Sequence, residues 1–166
     1  MTSQPRVRRN TRRLAAGTAA LLAAWVGFPH HAAASPPVTA TGAFTFLNDT
    51  LTPIREADGN VFFNEVASIS YTGDLAGVAA ATDTLVVHSN GSINGHGTEV
   101  CSPCTIGGRT GSFTGFFSFH GSGGQITGHE TFTAGSGGLV GLHGGGTFEG
   151  SPAGNTYSFT YRFSPQ

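Results

Sequence analysis

The chain contains no lysine, and most of its arginines lie in one short segment at its start. Five of the eight basic residues come before residue 14, which leaves Arg55, Arg109 and Arg162 against nine acidic residues. With neutral histidines, the remainder therefore carries a net charge of −6. Nucleic acids need clustered cations to neutralise their phosphates, and anionic lipids attract basic surfaces. The composition therefore excludes nucleic acid as a partner and argues against an anionic membrane surface.

Several catalytic and metal-binding signatures are also missing. The sequence has no G-x-S-x-G elbow, no phosphate loop with Gly-Lys-Ser or Gly-Lys-Thr, and no H-x-H or H-E-x-x-H pair. The histidines after residue 34 are spread over separate predicted strands and turns. We predict neither a metal site nor a bound cofactor.

Amphipathic helical spacing is absent after residue 34. Glycine, with 26 residues, is unfavourable inside helices by about 1 kcal/mol each relative to alanine. The 13 phenylalanines still make a core possible, and many of them alternate with polar residues. The sequence therefore predicts an all-β fold.

Residues 1–34 are typical of a bacterial secretory signal peptide. Arginines precede an apolar run from Leu14 to Phe28, and Ala32-Ala33-Ala34 forms a small-residue cleavage signal. A membrane anchor is the alternative, but the run is short and is interrupted by glycine. We predict a signal peptide over 1–34, a linker over 35–40 and a β-barrel domain over 41–166, secreted and free of the membrane after cleavage. The export route, general or twin-arginine, stays open.

Period-two alternation and turn residues predict eight strands. They cover 41–55, 60–73, 78–89, 92–101, 109–120, 125–134, 139–149 and 155–164. Short connections, such as Asp58-Gly59, favour an eight-stranded antiparallel up-and-down barrel, which leaves no open sheet edge. A two-layer sandwich of the same strands is the structural alternative.

Four segments resemble one superfamily. They are Gly42-Ala43-Phe44, the stretch from Tyr71 to Gly77, the turn from Gly108 to Phe113, and the glycine-rich stretch from Gly135 to Gly146. Together they resemble the allene oxide cyclase and dirigent barrel superfamily, and more narrowly an uncharacterised bacterial secreted branch of it. The resemblance implies an eight-stranded antiparallel barrel. It assigns no catalytic residue, because the functional residues of the plant members do not match positions here one by one.

Alternation also places a set of polar side chains on the inward, phenylalanine-bearing faces of the predicted strands. The candidate ligand-binding residues inside the barrel are Glu130, Arg109, Glu99, Tyr157, Tyr161 and Phe117. Glu65 shares the inward face of its strand with Phe63 and Ile69. Pairing His120 with Gln125 would put Gly115 opposite Glu130, with room for a ligand group beside the carboxylate.

This polar set has two interpretations. It is either a structural Arg–Glu pair at the barrel mouth or the polar end of a small apolar cavity, because a buried carboxylate must be paired or protonated. Arg109 and Glu130 are expected to point inward from adjacent strands, with direct contact between them the weaker part of that expectation.

Cys101 and Cys104 are the only cysteines. In an exported protein this spacing predicts a local disulfide in the turn between the fourth and fifth strands. One alternative is a zinc site with His96, which lacks further ligands. The other is a redox site, which lacks a helix N-terminus to stabilise the thiolate.

Three functions fit these observations. The first is a secreted binder of a small apolar or aromatic molecule. The second is a cofactor-independent cyclase or isomerase, with Glu130 or Glu99 as acid or base and Arg109 stabilising negative charge. The third is a ligand-free extracellular structural protein, as a homo-oligomer packed through outer barrel faces. An open cavity at Glu130 favours the first two, and a raised carboxylate pKa in that cavity favours catalysis.

Overall fold

The computed structural model describes residues 35–165; the predicted signal peptide lies outside the described residues. Eight strands make up this part of the chain. They are β1 (Val38–Ala57), β2 (Asn60–Gly73), β3 (Leu75–Val87), β4 (Ile93–Ile106), β5 (Arg109–Ser122), β6 (Gln125–Gly137), β7 (Leu142–Ser151) and β8 (Gly154–Phe163). Each strand pairs antiparallel with the next, and β8 pairs with β1, so the sheet closes into a barrel. The up-and-down order predicted from the sequence is confirmed. β1 begins at Val38, inside the segment predicted as a linker.

Tight turns explain the short connections at one end of the barrel. Asp58 and Gly59, at φ 53° and 74°, form the whole β1–β2 turn, and Gly123 and Gly124, at φ 61° and 80°, form the β5–β6 turn at the same end. Left-handed φ at both central residues is typical of the hairpin turns that match strand twist. These two-residue turns therefore fix the register of the strands that they join.

One end of the barrel is filled with side chains. Phe113, Phe132 and Phe159 pack there, with ring centroids 4.7 Å apart for the first pair and 5.1 Å apart for the second. The connections at this end and the ends of the adjoining strands contribute further fully buried side chains: Leu75, Ile106, Leu139 and Leu142. Ser35 also accepts a 2.8 Å hydrogen bond from the Phe163 amide. This packed end leaves free interior space only toward the opposite end.

Tyr157 links strands at the border of the packed end. Its hydroxyl accepts a 2.8 Å hydrogen bond from the Leu75 amide and lies 3.1 Å from the Thr72 carbonyl oxygen. Gly42 and Gly73 are cross-strand partners, and a Cβ at either would lie against this hydroxyl. Two glycines from the segments that carry the family resemblance therefore make room for Tyr157.

The wall of the barrel is incomplete on one side. β1 and β8 pair only as far as Phe44 and Asn155, whereas β1 continues to Ala57 beside β2 alone. The inward-facing Phe46 and Leu51 on this extension are 43% and 46% exposed. The interior is therefore open to solvent along this part of β1.

Candidate functional site

A cavity of about 290 Å³ occupies the unfilled part of the barrel. Aromatic and aliphatic side chains make up most of its lining, among them Phe44, Ile69, Leu85, Phe117, Phe148 and Ile126. Ligand pockets commonly measure about 300–1,000 Å³, so this volume suits a small molecule. Five carboxyl groups also line the cavity, and none of the described lining residues is basic.

The strand pairing explains why these acids meet. Three of the acids, Glu65, Asp83 and Glu130, lie on one level of the sheet, that is, in one row of residues that pair across neighbouring strands. Successive cross-strand pairs connect them: Glu65 with Asp83, Asp83 with Gly97, Gly97 with Phe117, and Phe117 with Glu130. Asp49 and Glu99 lie on the next level, two residues further along the strands toward the packed end. Two residues of a strand rise about 7 Å. Five strands therefore deliver their carboxyl groups to one narrow belt.

Glu99 and Glu130 form the inner acid pair. Their side chains are 2% and 4% exposed, and the two carboxyl groups are hydrogen-bonded to each other. Gly115 makes this contact possible, because it lies between them on β5 and a Cβ there would collide with Glu130 Oε1. Tyr71 also donates a 2.9 Å hydrogen bond to Glu99 Oε2.

The two inner acids hold their protons with different strengths. Burial raises the pKa of Glu130 well above its ordinary value, and the neighbouring Glu99 charge raises it further. Burial also raises the pKa of Glu99, but the hydrogen bonds from Glu130 and Tyr71 oppose that rise. Two adjacent buried carboxyls cannot both ionise readily. Of the two, Glu130 therefore holds its proton more strongly, and it donates this proton to Glu99.

Glu65, Asp83 and Asp49 form the outer acid cluster. Burial, followed by the Asp83 charge, raises the pKa of Glu65 to about 8. Burial also raises the pKa of Asp83 to about 6, against the lowering effect of its hydrogen bond to Glu65. At neutral pH Glu65 is therefore mostly protonated and Asp83 mostly ionised.

Three buried carboxyl oxygens in this belt have no hydrogen-bond donor among the described residues other than the carboxyl group beside them. They are Asp83 Oδ2, Glu99 Oε1 and Glu130 Oε1. A carboxylate oxygen can accept two hydrogen bonds, so one neighbouring carboxyl group leaves part of this capacity unfilled. The cavity therefore contains unused acceptor capacity next to an apolar wall.

The structure brings together three of the six predicted ligand-site residues. Glu130, Glu99 and Phe117 line the cavity, as alternation predicts. Tyr157 and Tyr161 point inward and are buried, but both lie toward the packed end and do not line the cavity. Their predicted place inside the barrel is confirmed, but they do not contribute to the wall of this cavity.

The interior position predicted for Arg109 is wrong. Arg109 is exposed at the first residue of β5, with its guanidinium carbon 4.0 Å from the centroid of the Phe163 ring. Its cross-strand partner Ile106 is buried, so Arg109 lies on the inward face of β5 as predicted. Its position along the barrel axis differs from the prediction, because it lies at the end of the strand. Phe117, which lies opposite Glu130, is eight positions beyond Arg109, or about 27 Å along the strand.

The predicted register of β5 and β6 needs a correction too. Ser122, not His120, pairs with Gln125, and Phe117, not Gly115, lies opposite Glu130. The Gly123-Gly124 turn has two residues, so the register moves by two positions, which keeps every side chain on its predicted face. Gly115 still borders Glu130, but diagonally, and the carboxyl group itself fills the space that we expected to be free.

Asp49 and Asp83 are the site residues that the sequence analysis missed. Asp83 carries a readable signal, because it shares period two with the buried Leu75, Ala81 and Leu85. Asp49 carries no such signal, because an irregularity in β1 between Phe46 and Asn48 reverses which of the following residues point inward.

Cys101 and Cys104 are both buried and are joined as a disulfide, as predicted, with Cα atoms 5.6 Å apart. They lie at an irregularity within β4, not in the β4–β5 turn. A disulfide of this kind is typical of oxidising compartments. No group of three or more His, Cys, Asp or Glu side chains in residues 35–165 is arranged to hold a metal ion. Within the same residues, no helix is long and apolar enough to cross a membrane.

Comparison with known proteins supports the fold and assigns no activity. No protein-family model and no curated protein matches the chain. A solved structure of a protein of unknown function from the DUF3224 family of Shewanella oneidensis MR-1 matches with a TM-score of 0.66 and 22% identity. The match covers 79% of this chain and 100% of the other. At this identity the likeness concerns the fold alone, so membership of the allene oxide cyclase and dirigent superfamily stays a prediction.

Proposed function

We propose that this chain is a secreted barrel protein that binds a small apolar or aromatic molecule in the cavity. The observation that carries the proposal is the combination of a 290 Å³ apolar cavity with five carboxyl groups, and no basic side chain, in its described wall. A purely structural barrel gains nothing from such a cavity, because unfilled space and buried charge without a counter-ion both cost stability. Kinship with the allene oxide cyclase and dirigent barrels is part of the same proposal.

The half-filled interior supports this function. Phenylalanines close the packed end, whereas glycines replace side chains at inward positions around the carboxyl belt, at Gly97, Gly115 and Gly146. The opening beside Phe46 and Leu51 provides a path to solvent. The disulfide agrees with an exported protein, and association through the outer barrel faces stays a prediction.

Filling the cavity should abolish binding. Ala81 is 2% exposed and lines the cavity between Ala67 and Glu99, so Ala81→Leu places three more carbon atoms in that space. Saturation-transfer NMR with indole and 2-phenylethanol should detect binding to the wild-type chain and a loss of about tenfold or more in the variant. The matched control is Ala80→Leu, which adds the same atoms at the adjacent exposed position.

If neither probe binds the wild-type chain, or if Ala81→Leu and Ala80→Leu bind alike, the cavity is not a binding site. The ligand-free structural function would then be favoured.

A second function, cofactor-independent isomerisation, is favoured by one observation. Glu130 holds its proton more strongly than Glu99 does, and both residues line the same cavity. A general acid beside a general base is the arrangement that proton transfer at a carbon atom requires. Arg109 takes no part, because it lies at the other end of the barrel.

This activity predicts faster exchange of an acidic carbon-bound proton. In D₂O, the wild-type chain should accelerate deuterium incorporation next to the carbonyl of 2-tetralone by about 100-fold or more over Glu99→Gln, a usual contribution of a general base. Glu149→Gln, an exposed outward-facing change of the same kind, is the control. Equal rates for all three proteins would rule out this chemistry at Glu99.

A further inference from the structure

The charge of the cavity is unbalanced, and this points to the class of ligand. Five carboxyl groups face the space, and none of the described lining residues is basic. Two of these acids, Glu99 and Glu130, are more than nine-tenths buried, and apart from the Tyr71 hydroxyl their carboxyl groups have only each other as hydrogen-bond partners. Buried carboxylates are normally paired with a donor or a cation. The described lining residues supply no cation for this pair.

We propose that the ligand is a small organic cation: an aromatic or aliphatic body that carries a protonated amino group. This inference rests on the proposed binding function and names the chemistry of its ligand. The ammonium group lies against the Glu99–Glu130 carboxyl pair, and the body of the ligand contacts the apolar wall.

An ammonium group fits these acceptors better than a metal ion does. It presents three donors, which match separate oxygens at hydrogen-bond distance. The described carboxyl groups, by contrast, form no cluster of three that could hold a metal ion. Tyr71, Phe117 and Phe148 line the same space, and aromatic rings of this kind attract cations. The cavity therefore selects for an amine with an apolar body over a bare ion.

Binding of such a cation changes the protonation of the site. The titratable groups around the inner pair are Asp49 on β1, Glu65 and Tyr71 on β2, Asp83 on β3, and Tyr157 on β8. A positive charge beside Glu130 favours loss of the proton that burial and Glu99 hold there. The bound ammonium group keeps its own proton, since an amine of this kind titrates near pH 10. Binding therefore releases up to one proton from Glu130 to solvent, and affinity rises with pH above the ordinary titration range of glutamate.

Three probes of similar size test the inference. They are 2-phenylethylamine, the neutral 2-phenylethanol and the anionic 3-phenylpropionate, measured by isothermal titration calorimetry at pH 7 in two buffers of different ionisation enthalpy. The amine should bind about tenfold or more tightly than the alcohol, with the carboxylate weakest, because charge-assisted hydrogen bonds exceed neutral ones. The amine alone should show proton release.

Two variants connect the preference to the inner acid pair. Glu99→Gln/Glu130→Gln should weaken amine binding by about tenfold or more and leave the alcohol unchanged, since the charge is removed and the shape is kept. Glu149→Gln changes the net charge equally on the outer surface and should change neither. If the double variant does not fold, Glu130→Gln serves alone. It is isosteric with the protonated acid and should abolish proton release.

The outcomes separate this inference from the function on which it rests. Equal affinity for amine and alcohol, or an amine preference that survives in Glu99→Gln/Glu130→Gln, overturns the cation inference and leaves small-molecule binding intact. Failure of all three probes, with no difference between Ala81→Leu and Ala80→Leu, overturns both.

Discussion

The protein should lose stability as the pH rises from about 5 to about 8, with a fall in Tm of roughly 5–10 °C. The pKa of Glu65 is raised from 4.5 to about 8 and that of Asp83 from 3.8 to about 6. Between the ordinary and the raised values, the folded chain binds more protons than the unfolded chain, so each increase in pH favours unfolding. Burial of Glu130 acts in the same direction.

The magnitude is limited because the outer acids are only half-buried. Solvent screening reduces the contribution of Glu65 and Asp83 below the value that their pKa shifts alone would give. Thermal unfolding followed by circular dichroism at constant ionic strength measures the slope. Glu65→Gln should flatten the slope between pH 6 and 8, and Glu149→Gln should leave it unchanged. A Tm that is constant or rises across this window would contradict the protonation states described for the belt.

Removing the inner acids altogether should stabilise the fold. In the triple variant Tyr71→Phe/Glu99→Leu/Glu130→Leu, apolar groups of similar volume replace the buried polar cluster. Such replacements are often neutral or stabilising by about 1–4 kcal/mol, because the folded state no longer includes the free-energy cost of removing a charge from water. Tm at pH 7 should rise or stay constant, and binding of 2-phenylethylamine should be lost.

The single variant Glu99→Leu provides the contrast. It leaves the Tyr71 hydroxyl and the Glu130 carboxyl without their shared partner, so it should lower stability by about 1–3 kcal/mol. Urea unfolding of the wild-type chain, the single variant and the triple variant measures all three values. A triple variant that is clearly less stable than the wild-type chain would show that the acids hold the barrel together, and the argument for a ligand would lose its main support.

The sequence predicted the fold and the inward faces because both depend on local periodicity. Alternation on β5, β6 and β8 places phenylalanines inside, with Glu130 among them, and alternation on β4 places Glu99 inside. The error in the β5–β6 register did not affect this prediction, because a shift of two residues leaves each side chain on the same face of the sheet. Inward orientation is therefore the feature that a single sequence predicts best in such a barrel.

Depth along the barrel axis was not predictable in the same way. Arg109 and Glu130 share an inward face, but one lies at a strand end and the other at the carboxyl belt. The role of Tyr157 depends on Leu75, which is 82 residues away in the chain. The outer acid cluster depends on the irregularity in β1 that turns Asp49 inward. Each of these features is set by pairing between distant strands, which local spacing does not encode.

The most direct test of the ligand site is native mass spectrometry of the protein purified from the organism that makes it. The account predicts a noncovalent adduct whose mass is that of a small amine with an apolar body. The adduct should be absent from Ala81→Leu and retained by Ala80→Leu expressed in the same host. A wild-type protein that carries no small molecule, or a small molecule retained equally by both variants, would contradict the assignment of the barrel cavity as a ligand site.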